Sequence, residues 1–141
     1  MTEQLVLDMP PRPPRLSDEE LADIVAASRE AIEFLGWTQH EFKDINGVCS
    51  IGAVLYSQDI DEEQCGNDYR VQMVAVALAR ALDILPHDPE ECSRYGCSCV
   101  VNTITTWNDT QTTITSVLDA FAKAEKILRA GFDPDKGYRD E

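Results

Sequence analysis

No stretch of the chain stays apolar for the roughly 18–20 residues that a membrane-spanning helix needs. The first residues hold no basic segment leading into an apolar one, so a secretory signal is not expected and the expected location is the cytoplasm. Positive charge is scarce: 12 Lys and Arg stand against 26 Asp and Glu, a net charge of -14. Nucleic-acid phosphates and anionic membrane should repel such a chain. Aromatic residues are few, 7% of the total, and do not alternate with Lys or Arg, which argues against a stacking platform for single strands. The glycine loops that cradle phosphates, the strained turn around a hydrolase serine and the paired histidines of a zinc protease all lack a matching sequence. The acids of Asp61-Glu62-Glu63 do not alternate around a glycine as a calcium loop requires.

What the chain does have suits one domain. Its 141 residues, 43% of them hydrophobic, can bury a substantial core. The most uniform stretch is Val48-Cys49-Ser50-Ile51-Gly52-Ala53-Val54-Leu55, uncharged and small throughout. It reads as a short buried helix over about 49–57, with Gly52 and Ala53 letting neighbouring helices approach. The long segments follow a helical period. The first, over 18–35, carries a full start signal: Ser17 as cap, Glu20 as its capping-box partner, and Leu16 placed to staple onto Leu21. Leu21, Ile24, Val25, Ser28, Ile32 and Leu35 form its stripe, and Gly36 suits its end. A second runs from about Asp68 to Leu85, with Asn67 as cap and Pro86 as stop. Its apolar surface, built on Val71, Val74, Leu78 and Leu82, is broad enough to make it central. The last spans about 113–130, with Gly131 after it.

The connectors are less uniform. Residues 1–15 form a Pro/Arg-rich leader, and Pro10-Pro11-Arg12-Pro13-Pro14-Arg15 favours polyproline II. Between Trp37 and Val48 the apolar anchors are Trp37, Phe42 and Ile45, and Asn46-Gly47 signals a tight turn that allows a small hairpin. Residues 100–107 are β-branched and fit a strand or a short helix. Asn108-Asp109 reads as a turn, and 133–141 as an acidic tail. The expected architecture is mainly α: a single small domain over 16–132 with four or five helices, with room for a short β-hairpin.

Two sets of residues invite a chemical reading. His87, Cys92, Cys97 and Cys99 supply enough borderline and soft ligands for tetrahedral zinc, although their spacing is not that of paired knuckles. The alternative is a loop whose thiols are tucked inside. With five cysteines, an odd number, and no secretory signal, free thiols or a metal are favoured over a disulfide framework. Cys49 stands near a helix start, where a thiol can become nucleophilic. Catalysis would also need a base, and only His40 and His87 are present. A buried core cysteine is the competing reading.

Three short motifs then stand together: Gly36-Trp37-Thr38-Gln39, Cys49-Ser50-Ile51-Gly52-Ala53-Val54, and Trp107-Asn108-Asp109 followed by Thr113 and Val117-Leu118. Over about 20–130 this pattern resembles a family of small domains of unknown function from actinobacteria and their phages. The resemblance implies no activity and no catalytic residue. It implies that Trp37, Cys49, Gly52, Trp107, Asn108 and Asp109 hold a shared framework, with Asn108 and Asp109 bonded to the backbone where the last helix begins. The cysteine-bearing loop and the Pro/Arg leader depart from the pattern.

The function expected from all this is a non-enzymatic protein-interaction module, a phage or actinobacterial accessory protein that binds another protein, in one setting a host protein. Nucleic acid and membrane are not expected as direct partners, and the protein is expected as a monomer or homodimer. Two alternatives stay open: an acidic inhibitor that mimics DNA on a basic surface, and a small structural zinc domain using residues 87–99.

Overall fold

The computed structural model describes residues 16–85 and 98–130. The leader, the loop with His87, Cys92 and Cys97, and the tail with Gly131 lie outside the described residues. Within them the start signal at Ser17 works as its sequence dictates. The Glu20 N–H donates to the Ser17 hydroxyl at 3.0 Å, and the Ser17 N–H donates back to Glu20 Oε1 at 2.9 Å. Such a cap contributes about 1 kcal/mol. The helix it opens, α1 (Asp18–Leu35), buries Leu21, Ile24, Val25 and Ile32 and ends at Gly36, whose N–H donates to the Ile32 carbonyl at 2.8 Å.

A two-stranded antiparallel hairpin follows, β1 (Lys43–Asp44) and β2 (Gly47–Val48). The Asp44 carboxylate accepts the Asn46 N–H at 2.8 Å and the Thr38 hydroxyl at 2.7 Å, which fixes the turn from both sides. The Thr38 hydroxyl holds the Asp44 carboxyl below its ordinary pKa. At Gly47 φ is +148°, and a Cβ would lie 2.0 Å from the Gly36 carbonyl carbon. Ile45, expected as an anchor, is instead 99% exposed at the tip, where a turn this short leaves nothing to cover it.

The central helix, α2 (Ser50–Gln58), has six consecutive buried residues, Ser50 to Leu55. It is flanked by α1, by α3 (Tyr69–Leu82) and by α4 (Ser98–Thr110). The close approach at Gly52 is made by the connector, not by another helix: a Cβ there would sit 1.9 Å from the Phe42 carbonyl oxygen. After α2 a single 3-10 turn, Glu62–Gln64, interrupts the polar loop. Asp68, one residue later than expected, caps α3 through the Arg70 N–H at 2.8 Å. That helix stops at Leu82, ahead of the expected Leu85, because Asp83 turns left-handed with φ +60°. As expected it is central, buried from Met73 through Ala81 without interruption.

The β-branched segment proves to be helical. Val100, Val101 and Ile104 bury one face of α4 against α3, so tertiary burial outweighs their local strand preference. α5 (Ile114–Arg129) closes the domain along α1, with Phe121 and Leu128 buried between the layers. Arg129 reaches Glu19, Asp23 and Glu125, and Arg29 reaches Glu125. The pairs to Glu19 and Asp23 are exposed and those to Glu125 partly buried; each contributes little, and together they bridge α5 and α1. Five α-helices and one hairpin make a single small domain among the described residues.

Gly52→Ala tests the close approach directly. It should lower stability by about 3 kcal/mol, since the added methyl must push the Phe42 carbonyl out of place. A shift in the urea midpoint at unchanged slope reads this. A neutral result would mean that the connector does not lie on α2.

Candidate functional site

Asparagine favours caps and turns over helix interiors, yet Asn108 lies within α4 and is fully buried. Its side chain repays the position with bonds to three separate parts of the chain. The Oδ1 atom accepts from the Trp37 indole N–H at 2.9 Å, the Ser50 N–H at 3.0 Å and the Ser50 hydroxyl at 2.7 Å. The Nδ2 atom donates to the Thr38 carbonyl at 3.1 Å and to Asp109 Oδ1 at 3.3 Å. Its own carbonyl accepts from Gln39 Nε2 at 3.1 Å, which also donates to the Gln111 carbonyl at 2.8 Å. One amide thereby ties α4, the connector and the start of α2 together.

Asp109 extends this corner outward. It accepts the His40 N–H at 2.8 Å through Oδ1, and its Oδ2 stands 3.3 Å from His40 Nδ1. His40 is held at φ +72°, a left-handed conformation uncommon outside glycine. Beside the pair opens a cleft of about 440 Å³, a size suited to a side chain or small ligand. Its walls include His40, Phe42, Cys49, Glu62, Val101 and Asp109.

Cys49 is the cap of α2. Its sulfur accepts the Gly52 N–H at 3.3 Å, and the residue is 4% exposed. Burial pushes its thiol pKa up, and the charge of Asp109 adds to the rise against the N–H groups that lower it. Cys65, half-buried in the same cleft, is raised by burial and by Glu62.

The structure thus gathers Trp37, Cys49, Asn108 and Asp109 at one corner, with Gly52 one turn along α2. Trp107 is half-buried beside them in sequence and packs on the core. Asn108 and Asp109 do not form a turn, and their side chains bond the connector and α2 rather than the backbone where the last helix begins. The reason is that W-N-D occupies the last turns of a helix facing the connector, so tertiary partners take the polar groups. Of the zinc set, Cys99 lies in the first turn of α4, and His87, Cys92 and Cys97 lie outside the described residues. Among the described residues no three His, Cys, Asp or Glu side chains converge to hold a metal ion. Ser50, Gln39, Glu62 and Cys65 were not legible as site residues. Gln39 and Ser50 stand within the motifs, but nothing in their spacing connects them to Asn108.

A family model described as a family of unknown function (DUF6197) matches residues 16–127. The chain belongs to this family. The match agrees with the resemblance in giving a domain of unknown function, and it spans the helices from α1 to most of α5. No curated protein and no solved structure matches the chain. What the DUF6197 domain does must therefore be argued from its own corner and cleft.

Two measurements follow from this corner. Asn108→Ala should cost about 3 kcal/mol or more, because it leaves the Ser50 N–H, the indole N–H and the Thr38 carbonyl without their partner. Asn108→Asp keeps the shape but replaces a donor with a carboxylate, whose pKa burial would raise. Its deficit should be small near pH about 4 and grow as the pH rises. Urea titrations across that range would show it, and a pH-independent deficit would count against the hub. Separately, iodoacetamide at neutral pH should label Cys65 before Cys49, with Cys49 reacting only as the domain opens. Peptide mapping that finds Cys49 labelled first would restore it as a reactive thiol.

Proposed function

We propose that this DUF6197 domain is a non-enzymatic protein-interaction module and that the cleft beside Asp109 is where its partner docks. The observation that carries the reading is the lining. Glu41, Glu62 and Asp109 bring three carboxylates to a concave surface that, among the described residues, no Lys or Arg lines, with Phe42 and Val101 as apolar ground. Glu41 and Glu62 make no ion pair among the described residues. Carboxylates left open on a rigid hydrogen-bonded corner suit recognition, because little ordering remains to be done on binding. The thiol nearest to a chemical role, Cys49, is buried and committed to the Gly52 N–H, which supports binding over catalysis.

The resemblance to domains of actinobacteria and their phages extends the proposal. The partner is a protein met in the cytoplasm, a host protein where the chain is phage-encoded. Placing a photo-crosslinking p-benzoylphenylalanine at position 105, on the cleft wall, and in a second variant at position 30, on the exposed face of α1, tests it in actinobacterial lysate. One discrete adduct from position 105 and none from position 30 is expected. Adducts equal from both positions, or none from either, would overturn docking at the cleft. If both positions cross-link and all adducts vanish steeply with salt, an acidic inhibitor of a basic surface replaces the reading.

A further inference from the structure

A second cavity, of about 230 Å³, adjoins the cleft and shares two wall residues with it, Phe42 and Glu62. Its character is different. Gly52, Leu55 and Ile60 line it, with Tyr56 half-exposed at its side. The cation at its edge, Lys43, lies over the Tyr56 ring with its Nζ 5.9 Å from the centroid, so its charge is already directed onto a π-face. Because Gly52 has no side chain, the Phe42 carbonyl presses against α2, and Phe42 belongs to the wall common to both cavities.

We propose that the two cavities form one continuous groove that binds an extended segment of a partner protein, with a lysine or arginine side chain in the first and an apolar side chain in the second. This rests on the protein-interaction reading and gives the partner its chemistry. In the first cavity the head of a long basic side chain meets Glu41, Glu62 and Asp109 while its stem covers Phe42 and Val101. In the second, an apolar side chain meets Leu55, Ile60 and Tyr56. The segment between them needs backbone partners. The thiol of Cys49, more than nine-tenths buried in the first cavity's wall, accepts the Gly52 N–H but has no acceptor for its own hydrogen among the described residues. Asn102 and Thr105 add polar groups along α4. The charge complementarity selects a basic segment, and the apolar wall of Leu55, Ile60 and Tyr56 in the second cavity, beside Lys43 and Asp59, separates it from a free cation, which would fill the first cavity alone.

The test uses the full chain, labelled with nitrogen-15, and blocked peptides in which one arginine and one leucine are separated by no, one or two glycines. Controls replace the arginine by glutamine or the leucine by serine. One spacing should bind about tenfold more tightly than either of its controls and shift the amides of Glu41, Phe42, Glu62, Cys65 and Asn102. Glu62→Gln should weaken that binding by about threefold or more, whereas Glu30→Gln, an equal change of charge on the exposed face of α1, should leave it unchanged. Shifts spread over the acidic surface, or equal weakening by both variants, would reduce the effect to general attraction and overturn the groove. Controls that bind as well as the paired peptide would also overturn it. The two readings fail separately: a position-105 adduct that persists at full yield in Glu62→Gln leaves the interaction module standing and removes the basic side chain, while loss of every adduct with intact peptide binding does the reverse.

Discussion

The side-chain amide of Asn108 is the constraint on which the rest of the site depends. It is buried where water cannot reach it, so each of its bonds must come from the protein. The partners it finds are the indole of Trp37, the backbone and hydroxyl of Ser50 and the carbonyl of Thr38. These belong to segments that share no local structure. A single satisfied amide therefore fixes the height of the connector, the start of α2 and the last turns of α4 at once. Asp109, the next residue, inherits that position and can hold His40 in its left-handed conformation.

The second constraint is steric. The connector can lie on α2 only because Gly52 leaves room for the Phe42 carbonyl, and that contact sets Phe42 in the wall of two cavities. The Cys49 N–H also donates to the Phe42 carbonyl, at 3.0 Å, so the same oxygen that a side chain at position 52 would displace helps begin the central helix. Packing and the shape of the cleft are coupled here. The residues that close the core around α2 also shape a cleft where the carboxylates of Glu41, Glu62 and Asp109 stand beside Phe42 and Val101.

The described cysteines, Cys49, Cys65 and Cys99, hold different places. Cys49 serves the fold, as the cap of α2, and its sulfur is spent on a backbone N–H. Cys65 stands at the cleft wall, where burial and then the nearby carboxylate of Glu62 raise its pKa. Cys99 begins α4, and its suggested companions in a zinc set lie outside the described residues.

The sequence by itself determined the elements whose signals are local. The capping box at Ser17 and Glu20 and the stripe from Leu21 to Ile32 set the bounds of α1, and the run from Val48 to Leu55 showed the helix around which the others gather. These were legible because capping and period act over a few residues. Only the tertiary structure decided the rest. Val100 to Trp107 became helix because one face of it is buried against α3, a contact that no local preference encodes. Asn108 and Asp109 read as a turn in isolation, since their side chains favour bonding nearby backbone, and were drawn into a helix by partners some seventy residues away in the chain, as in the pairing of Trp37 with Asn108 at a separation of 71. Ile45 read as an anchor because it is apolar, and the fold left it outside. The cleft follows the same rule: its carboxylates come from the connector, the 3-10 turn and the end of α4, and only the folded backbone makes them neighbours.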